Sequence, residues 1–148
     1  GTGYLSRLMA PAVMPGGRIL AVDVQPMMVR MLQRLTRLDG LGHIEPSRCA
    51  EHDVQLPDDS VDMAVMLDVY HELACPHEML ASIVRALRPG ARVVFVEFKA
   101  ENPDIPIKPL HKMSEARVRR EAAVHRLVWE CTLDHLPWQH IVMFGKRT

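Results

Sequence analysis

The sequence predicts an α/β fold, in which helices cover a mostly parallel β-sheet. Three compact apolar segments, at residues 18–24, 61–67 and 92–98, have the composition of buried strands. Two segments with apolar residues at helical spacing separate them, one from residue 26 to a stop at residue 40 and one at 76–87. This alternation favours parallel strands that are joined by helical crossovers.

Composition narrows the class of protein. The chain has 148 residues, a length that suits one domain, with 48% hydrophobic and 24% charged residues, as in ordinary globular proteins. Its 18 basic and 18 acidic residues balance, which argues against a nucleic-acid partner. No apolar run approaches the ~20 residues of a membrane helix, so no membrane partner is expected.

Cysteine and histidine usage bears on location and metal binding. The three cysteines are widely spaced and form no CxxC pair, which fits a reducing compartment, so we expect a cytoplasmic protein. No histidine or cysteine pair has the spacing of a zinc site, so no metal is expected.

In the first third of the chain, proline and glycine mark the elements. A short helix is predicted at 4–10 and a weak strand at 43–49, which Pro46 confines to a sheet edge. The helix after Pro26 is expected to bury its methionine-rich face. That face comprises Met28, Met31, Leu32, Leu35 and Leu38.

The rest of the chain ends in two strands that a short connection makes antiparallel. Ser114 is expected to cap the helix that follows it, Lys112 to be a solvated charge, and Trp138 to lie in the core, although a dimer surface is left open for it. The predicted elements are a turn at 89–90, a proline-rich loop at 100–113, a helix at 115–125, and strands at 127–135 and 139–146.

Four short motifs carry a resemblance to a known family. They are the opening GTGY, DVYHEL at 68–73, HKMS at 111–114 and LPWQHIVMF at 136–144. With the succession of elements over almost the whole chain, they resemble the class I S-adenosylmethionine-dependent methyltransferases, and more narrowly a bacterial subgroup of small methyltransferases.

The resemblance implies a Rossmann-like, doubly wound, mostly parallel sheet with an antiparallel C-terminal hairpin, formed by one domain over residues 1–148. In the family's own count, the strand order would be 3-2-1-4-5-7-6. Gly1 and Gly3 resemble the last two glycines of the loop that follows strand 1 in the family. We therefore expect strand 1 to be absent from this chain and to lie upstream of Gly1.

The resemblance also implies residues that bind S-adenosyl-L-methionine. Asp23 closes a strand, where an acid can accept hydrogen bonds from both ribose hydroxyls; the alternative is a helix N-cap. Asp53 resembles the acid that accepts from the adenine amino group; the alternative is an ordinary loop aspartate. The full cofactor set is Gly1, Gly3, Tyr4, Asp23, Val24, Met28, His52, Asp53, Leu67 and Asp68.

The loop after residues 61–67 borders the methyl acceptor in the resembled family. His71 and Glu97 are the catalytic candidates, and Tyr70 and His111 are the substrate candidates. His71 can act as a general base, a common role of histidine in catalysis; alternatively, His71 or Glu72 can cap the next helix. Glu97 can face the active site, or can pair with Lys99 or a loop N–H.

These residues predict transfer of a methyl group to a small-molecule acceptor by in-line displacement. The alternative function is a non-catalytic domain of the same fold that binds S-adenosylmethionine or a partner protein. The sequence leaves a homodimer open.

Overall fold

The computed structural model describes residues 1–147 and divides into two compact units, Gly1–Ala50 and Glu51–Thr148. Each unit contains its own β-sheet. That residues 1–148 form one domain stays a prediction. Among residues 1–147, no helix has both the length and the apolar character that crossing a bilayer requires.

The first unit contains two parallel strands, with one helix before the first strand and a second helix between the strands. Pairing runs from Ile19 opposite Ile44 to Asp23 opposite Arg48, which places Pro46 on an outer strand, as predicted. The elements are α1 (Tyr4–Met9), a 3-10 turn (Ala10–Val13), β1 (Ile19–Asp23), α2 (Pro26–Leu38) and β2 (Ile44–Arg48).

The predicted buried face of α2 is confirmed at Leu32 but is wrong at its two exposed members. The buried residues are Val29, Leu32 and Thr36, whereas Met31 and Leu38 are exposed. Two sets of residues, one starting at residue 28 and the other at residue 29, both recur at helical spacing. Their positions are shifted by one residue, which is about 100° around the helix. Periodicity alone could not choose between them. The choice follows from packing of α2 on β1 and β2.

The second unit contains a mixed sheet. Its strand order is β3-β4-β7-β6, with β3 parallel to β4 and with β7 antiparallel to both of its neighbours, so the predicted terminal hairpin is confirmed. The elements are β3 (Val61–Leu67), a 3-10 turn (Tyr70–Glu72), α3 (Pro76–Ala86), β4 (Leu87–Lys99), a 3-10 turn (Pro109–His111), β5 (Lys112–Met113), α4 (Glu115–Ala122), β6 (Leu127–Leu133) and β7 (Gln139–Lys146).

Both sheets are compatible with the strand order that the resemblance implies. Matched to the family's count, the first unit supplies strands 2 and 3, and the second supplies the run 4-5-7-6. The order 3-2-1-4-5-7-6 as a whole stays a prediction.

The core of the second unit lies around β4. Val93 and Phe95 in this strand are fully buried, and the Phe95 ring meets the rings of Tyr70 and Phe144 edge to face, at centroid distances of 4.9 and 5.6 Å. Such pairs add to the free energy that area burial alone provides. This packing fixes the segment that carries Tyr70 against the strand that carries Glu97.

Four local predictions in the second unit are wrong. Residues 89–90 form no separate turn but a bulge in β4, where Gly90 has a φ of +77° and the pairing with β3 shifts. Met63 is 49% exposed, because β3 is the last strand of its sheet. Trp138 is 48% exposed. Lys112 is buried, and its Nζ donates to two carbonyl oxygens of the proline-rich loop.

Gly3→Ala is predicted to destabilise the protein more than Gly40→Ala does. The φ of Gly3, +79°, is left-handed, and a Cβ there would overlap the tip of Leu32. Gly40 has a φ of +67° but has open space around it. Both Gly3→Ala and Gly40→Ala incur the left-handed penalty of roughly 1–2 kcal/mol. Only Gly3→Ala adds overpacking of about 1–3 kcal/mol. Thermal unfolding should therefore show the larger loss for Gly3→Ala, and equal losses would contradict the contact.

Stability is expected to fall on mild acidification because of His125. This side chain is buried, its Nε2 has no partner among residues 1–147, and its ring lies 4.5 Å from that of His77. Burial, and then the charge of His77, lower the pKa of His125. Between that lowered pKa and about 6.5, the unfolded chain binds more protons, so the free energy of unfolding decreases as the pH falls through this window.

Denaturant unfolding at pH 7.5 and 5.5 tests this expectation. His125→Phe should reduce the difference between the two pH values, whereas His135→Phe, at an exposed position, should leave it unchanged. An unaltered pH dependence in His125→Phe would contradict the assignment.

Candidate active site

In the first unit, Asp23 and the glycine turn come together. Asp23 ends β1; one of its carboxylate oxygens accepts the Gln25 N–H at 2.8 Å, and the other contacts the Gly1 amino group. Asp23 is therefore not the N-cap of α2: that position is occupied by Gln25, whose side chain makes no cap hydrogen bond, and Asp23 binds the N–H of this residue instead. A cofactor-binding role for Asp23 stays a prediction.

Three other cofactor candidates of this unit differ in exposure. Tyr4 and Val24 are exposed, and Met28 is half-buried. Their side chains are therefore accessible to varying degrees, and their roles stay predictions.

In the second unit, Asp53 is engaged by the protein itself. Its carboxylate accepts the Gln55 N–H at 2.7 Å and pairs with the Arg85 guanidinium at 3.1 Å. The backbone hydrogen bond, and then Arg85, hold the pKa of Asp53 below its usual value. His52 beside it is exposed. Sequence reasoning missed Arg85, because nothing in the spacing of α3 marks it as a partner of a loop 32 residues earlier.

Asp68 has a buried oxygen that the chain does not satisfy. The residue follows β3 with a φ of +49°, and its N–H donates to the Val96 carbonyl at 2.8 Å. One carboxylate oxygen accepts from Gln139 at 2.7 Å, but the other is buried and has no partner within residues 1–147. Burial raises the pKa of Asp68. Leu67 beside it is half-buried.

An unpaired buried carboxylate oxygen is unusual in a folded protein. At the carboxyl end of a parallel strand, where open α/β sheets bind ligands, it fits a hydrogen-bond donor from a bound molecule.

A buried carboxylate–histidine pair lies beside this strand end. Glu97 is 0% exposed; one oxygen accepts the Tyr70 N–H at 3.0 Å, and the other accepts from His71 Nδ1 at 2.5 Å. Burial raises the pKa of Glu97, and the hydrogen bond from His71 opposes the shift. Lys99 instead donates to the carbonyls of Asp134 and Leu136. Of the alternatives for Glu97, the structure thus shows the loop N–H and not Lys99.

His71 is held at both ring nitrogens. Its side chain is only 3% exposed, and its Nε2 lies 3.3 Å from His111 Nδ1 and 3.7 Å from Glu72 Oε1. His111 Nδ1 lies 3.2 Å from the same glutamate oxygen. The sequence predicted His71 and His111 as site residues but missed Glu72, for which its position next to His71 in a 3-10 turn was the only signal.

Tyr70 lies inside the second unit. Its ring is buried against Phe95, and burial followed by the charge of Glu121 raises its pKa. Contact with an acceptor stays a prediction for this residue.

Comparisons with known proteins indicate one family. A family model described as a methyltransferase domain matches residues 1–95. The phthiotriol/phenolphthiotriol dimycocerosates methyltransferase 1 of Mycobacterium ulcerans is 26% identical over 129 residues, which are 82% of this chain and 44% of that protein. The ubiquinone/menaquinone biosynthesis C-methyltransferase UbiE of Ectopseudomonas mendocina is 28% identical over 105 residues, which are 70% of this chain and 41% of that protein.

A solved structure shows the same fold. It is that of a SAM-dependent methyltransferase from Aquifex aeolicus, with a TM-score of 0.92 and 25% identity, over 99% of this chain and 78% of that one. The chain spans less than half the length of the curated relatives named above. The family match covers well over half of this chain, so the chain belongs to the class I S-adenosylmethionine-dependent methyltransferase family and has its Rossmann-like α/β fold.

Proposed function

We propose that this chain transfers a methyl group from S-adenosylmethionine to a small-molecule acceptor by in-line displacement. The observation that carries the proposal is the buried pair of Glu97 and His71 beside the carboxyl ends of β3 and β4. Burying a carboxylate is costly in free energy, so a buried carboxylate needs a reason. A structural role alone does not require that its partner be a histidine whose second ring nitrogen lies away from the carboxylate. The names of both curated relatives, which refer to small molecules, support this acceptor class.

The cofactor supplies the reactive methyl group on a sulfonium, and the protein supplies binding and orientation. Asp23 is proposed to accept hydrogen bonds from the ribose hydroxyls, through the oxygen that faces the glycine segment. Asp68 is proposed to accept one from the methionine part of the cofactor, through its unpaired oxygen. Asp53 is proposed for the adenine side, although its pairing with Arg85 leaves it fewer free lone pairs.

On the acceptor side, His71 is the proposed proton acceptor for a hydroxyl nucleophile. Glu97 holds His71 Nδ1–H, so that Nε2 is the unprotonated nitrogen, an arrangement that catalytic triads also use. Glu97 thus acts through His71 and is a positioning residue. His111, 36% exposed at the end of the proline-rich loop, is proposed to contact the acceptor.

Two measurements on the full chain test the proposal. Isothermal titration should show binding of S-adenosylmethionine or S-adenosylhomocysteine, and no binding in the millimolar range would refute the function. Transfer of labelled methyl groups to a broad panel of small acceptors should then show turnover. Binding without any turnover would instead favour a non-catalytic cofactor-binding domain. A cytoplasmic location and a homodimer stay predictions.

A further inference from the structure

Three donor atoms in the second unit converge on one point. They are His71 Nε2, His111 Nδ1 and a carboxylate oxygen of Glu72, and all lie within 4.8 Å of one another. The separations are 3.3 Å between the two histidine nitrogens, and 3.7 and 3.2 Å from the glutamate oxygen to His71 and His111. Two imidazoles and one carboxylate are ligands that transition metals use in proteins.

The size of this triangle fits a tetrahedral metal ion. Zn²⁺ binds nitrogen at about 2.0–2.1 Å and oxygen at about 2.0–2.2 Å, so that two ligands in tetrahedral geometry lie about 3.3 Å apart. Two of the three observed separations are within ~0.1 Å of this value, and the third exceeds it by ~0.4 Å, which a small rotation of the exposed Glu72 side chain removes.

The buried Glu97 carboxylate prepares His71 for this role. It accepts the hydrogen on Nδ1, which fixes the ring orientation and leaves the lone pair on Nε2, the nitrogen that lies 3.3 Å from His111 Nδ1 and 3.7 Å from Glu72 Oε1. Carboxylate–histidine–zinc arrangements orient metal ligands in this way and raise their basicity. A hydrogen bond between the two histidines alone would not require a fully buried carboxylate behind one of them.

The local charge also favours a cation. Glu72 and Glu97 both lie in this cluster, and no lysine or arginine among residues 1–147 pairs with either carboxylate. Glu72 and His111 are 56% and 36% exposed, so that a fourth coordination position can be reached from outside the protein. Zinc sites with three protein ligands and an open position are typical of catalytic rather than structural sites.

We propose that His71, His111 and Glu72 form a site for a divalent transition metal of the Zn²⁺ type, with Glu97 as the residue that positions His71. The expectation of no metal was drawn from spacing, and residues 71, 72 and 111 have none of the usual spacings. A 3-10 turn after β3 and a second one at the end of the proline-rich loop supply the ligands.

The site goes beyond the proposed function and does not depend on it. An ion and a proton compete for the same nitrogen, so the metal-loaded protein would use His71 as a ligand and not as a base. An acceptor with an oxygen donor would then occupy the open position.

Titration of the tag-free full chain with Zn²⁺ tests the proposal, alongside absorption spectra with Co²⁺. We expect one ion per chain and a cobalt spectrum of tetrahedral nitrogen and oxygen ligation without thiolate bands, which distinguishes the site from the cysteines. Removal of a residue that only hydrogen-bonds to a metal ligand lowers metal affinity by ~10–100-fold, so Glu97→Gln should weaken Zn²⁺ binding within that range. His111→Ala and Glu72→Gln each remove a ligand and should weaken Zn²⁺ binding by more. His135→Ala, at an exposed histidine outside the cluster, should bind like the unaltered chain.

Three results would overturn the proposal: no Zn²⁺ binding, binding that His111→Ala and Glu72→Gln leave unchanged, or a thiolate spectrum. Titration of the same samples with S-adenosylhomocysteine separates the two proposals. Intact cofactor binding in a protein that takes up no metal overturns the metal site alone. Metal uptake without cofactor binding overturns the methyltransferase function alone.

Discussion

Replacing Asp23 with alanine is expected to weaken binding of S-adenosylhomocysteine by about 100-fold. A hydrogen bond to a charged group contributes roughly 1.5–3 kcal/mol. The variant would lose two such bonds to the ribose hydroxyls, and water that binds to the hydroxyls would recover part of this free energy. A net loss near ~2.7 kcal/mol corresponds to a factor of about 100 in the dissociation constant. Isothermal titration of the variant and the unaltered chain measures this change.

The control variants separate binding from folding. Asp23 also accepts the Gln25 N–H, so the alanine variant loses an anchor of α2 as well. Asp23→Asn keeps an oxygen for the bond to Gln25 and removes only the second acceptor. This variant should therefore fold like the unaltered chain, but its affinity for S-adenosylhomocysteine should be reduced. Asp39→Asn, which removes an exposed carboxylate paired with Arg7 in the same unit, should bind normally. Unchanged affinity in Asp23→Ala would contradict the ribose role.

Strand positions could be predicted well because local signals agree there. The bounds of β3 and β7 match the prediction, since apolar runs end at turn residues on both sides. The rotation of α2 could not be predicted, because two stripes one residue apart carry the same periodicity and only the strands beneath them select one. Gly90 shows the same limit: its dipeptide with Pro89 signals a turn, but pairing with a neighbouring strand makes it a bulge.

In the candidate site as well, local signals could be recognised in the sequence, whereas contacts between distant segments could not. Asp23, Asp68 and His71 could be singled out as candidates because each lies at or shortly after the end of a recognisable strand. Pairings between distant segments could not be predicted. Arg85 comes to Asp53 from a helix, and His111, although itself a predicted site residue, comes to Glu72 from a loop about 40 residues away, so that neither pairing leaves a signal in the spacing.

Replacing His71 with alanine is expected to lower methyl transfer to a hydroxyl acceptor by ~10²–10⁴-fold, the usual range for loss of general acid–base catalysis. Cofactor affinity should change little, because His71 contacts Glu97, His111 and Glu72 and is proposed only for the acceptor side. Rates of labelled methyl transfer, measured at saturating cofactor, report the effect. His135→Ala is the matched control, and full activity in His71→Ala would exclude any role in the reaction.

The remaining variants decide how His71 acts. If it is a base, added imidazole should partly restore His71→Ala, and His111→Ala should mainly raise KM for the acceptor. If it is a metal ligand, His111→Ala and Glu72→Gln should reduce kcat as strongly as His71→Ala does. Glu97→Gln weakens both roles, since a buried amide keeps the shape of the side chain but cannot supply the negative charge that stabilises either a protonated imidazole or a bound cation. The pattern across His111 and Glu72, rather than the loss at His71 itself, therefore identifies the chemistry.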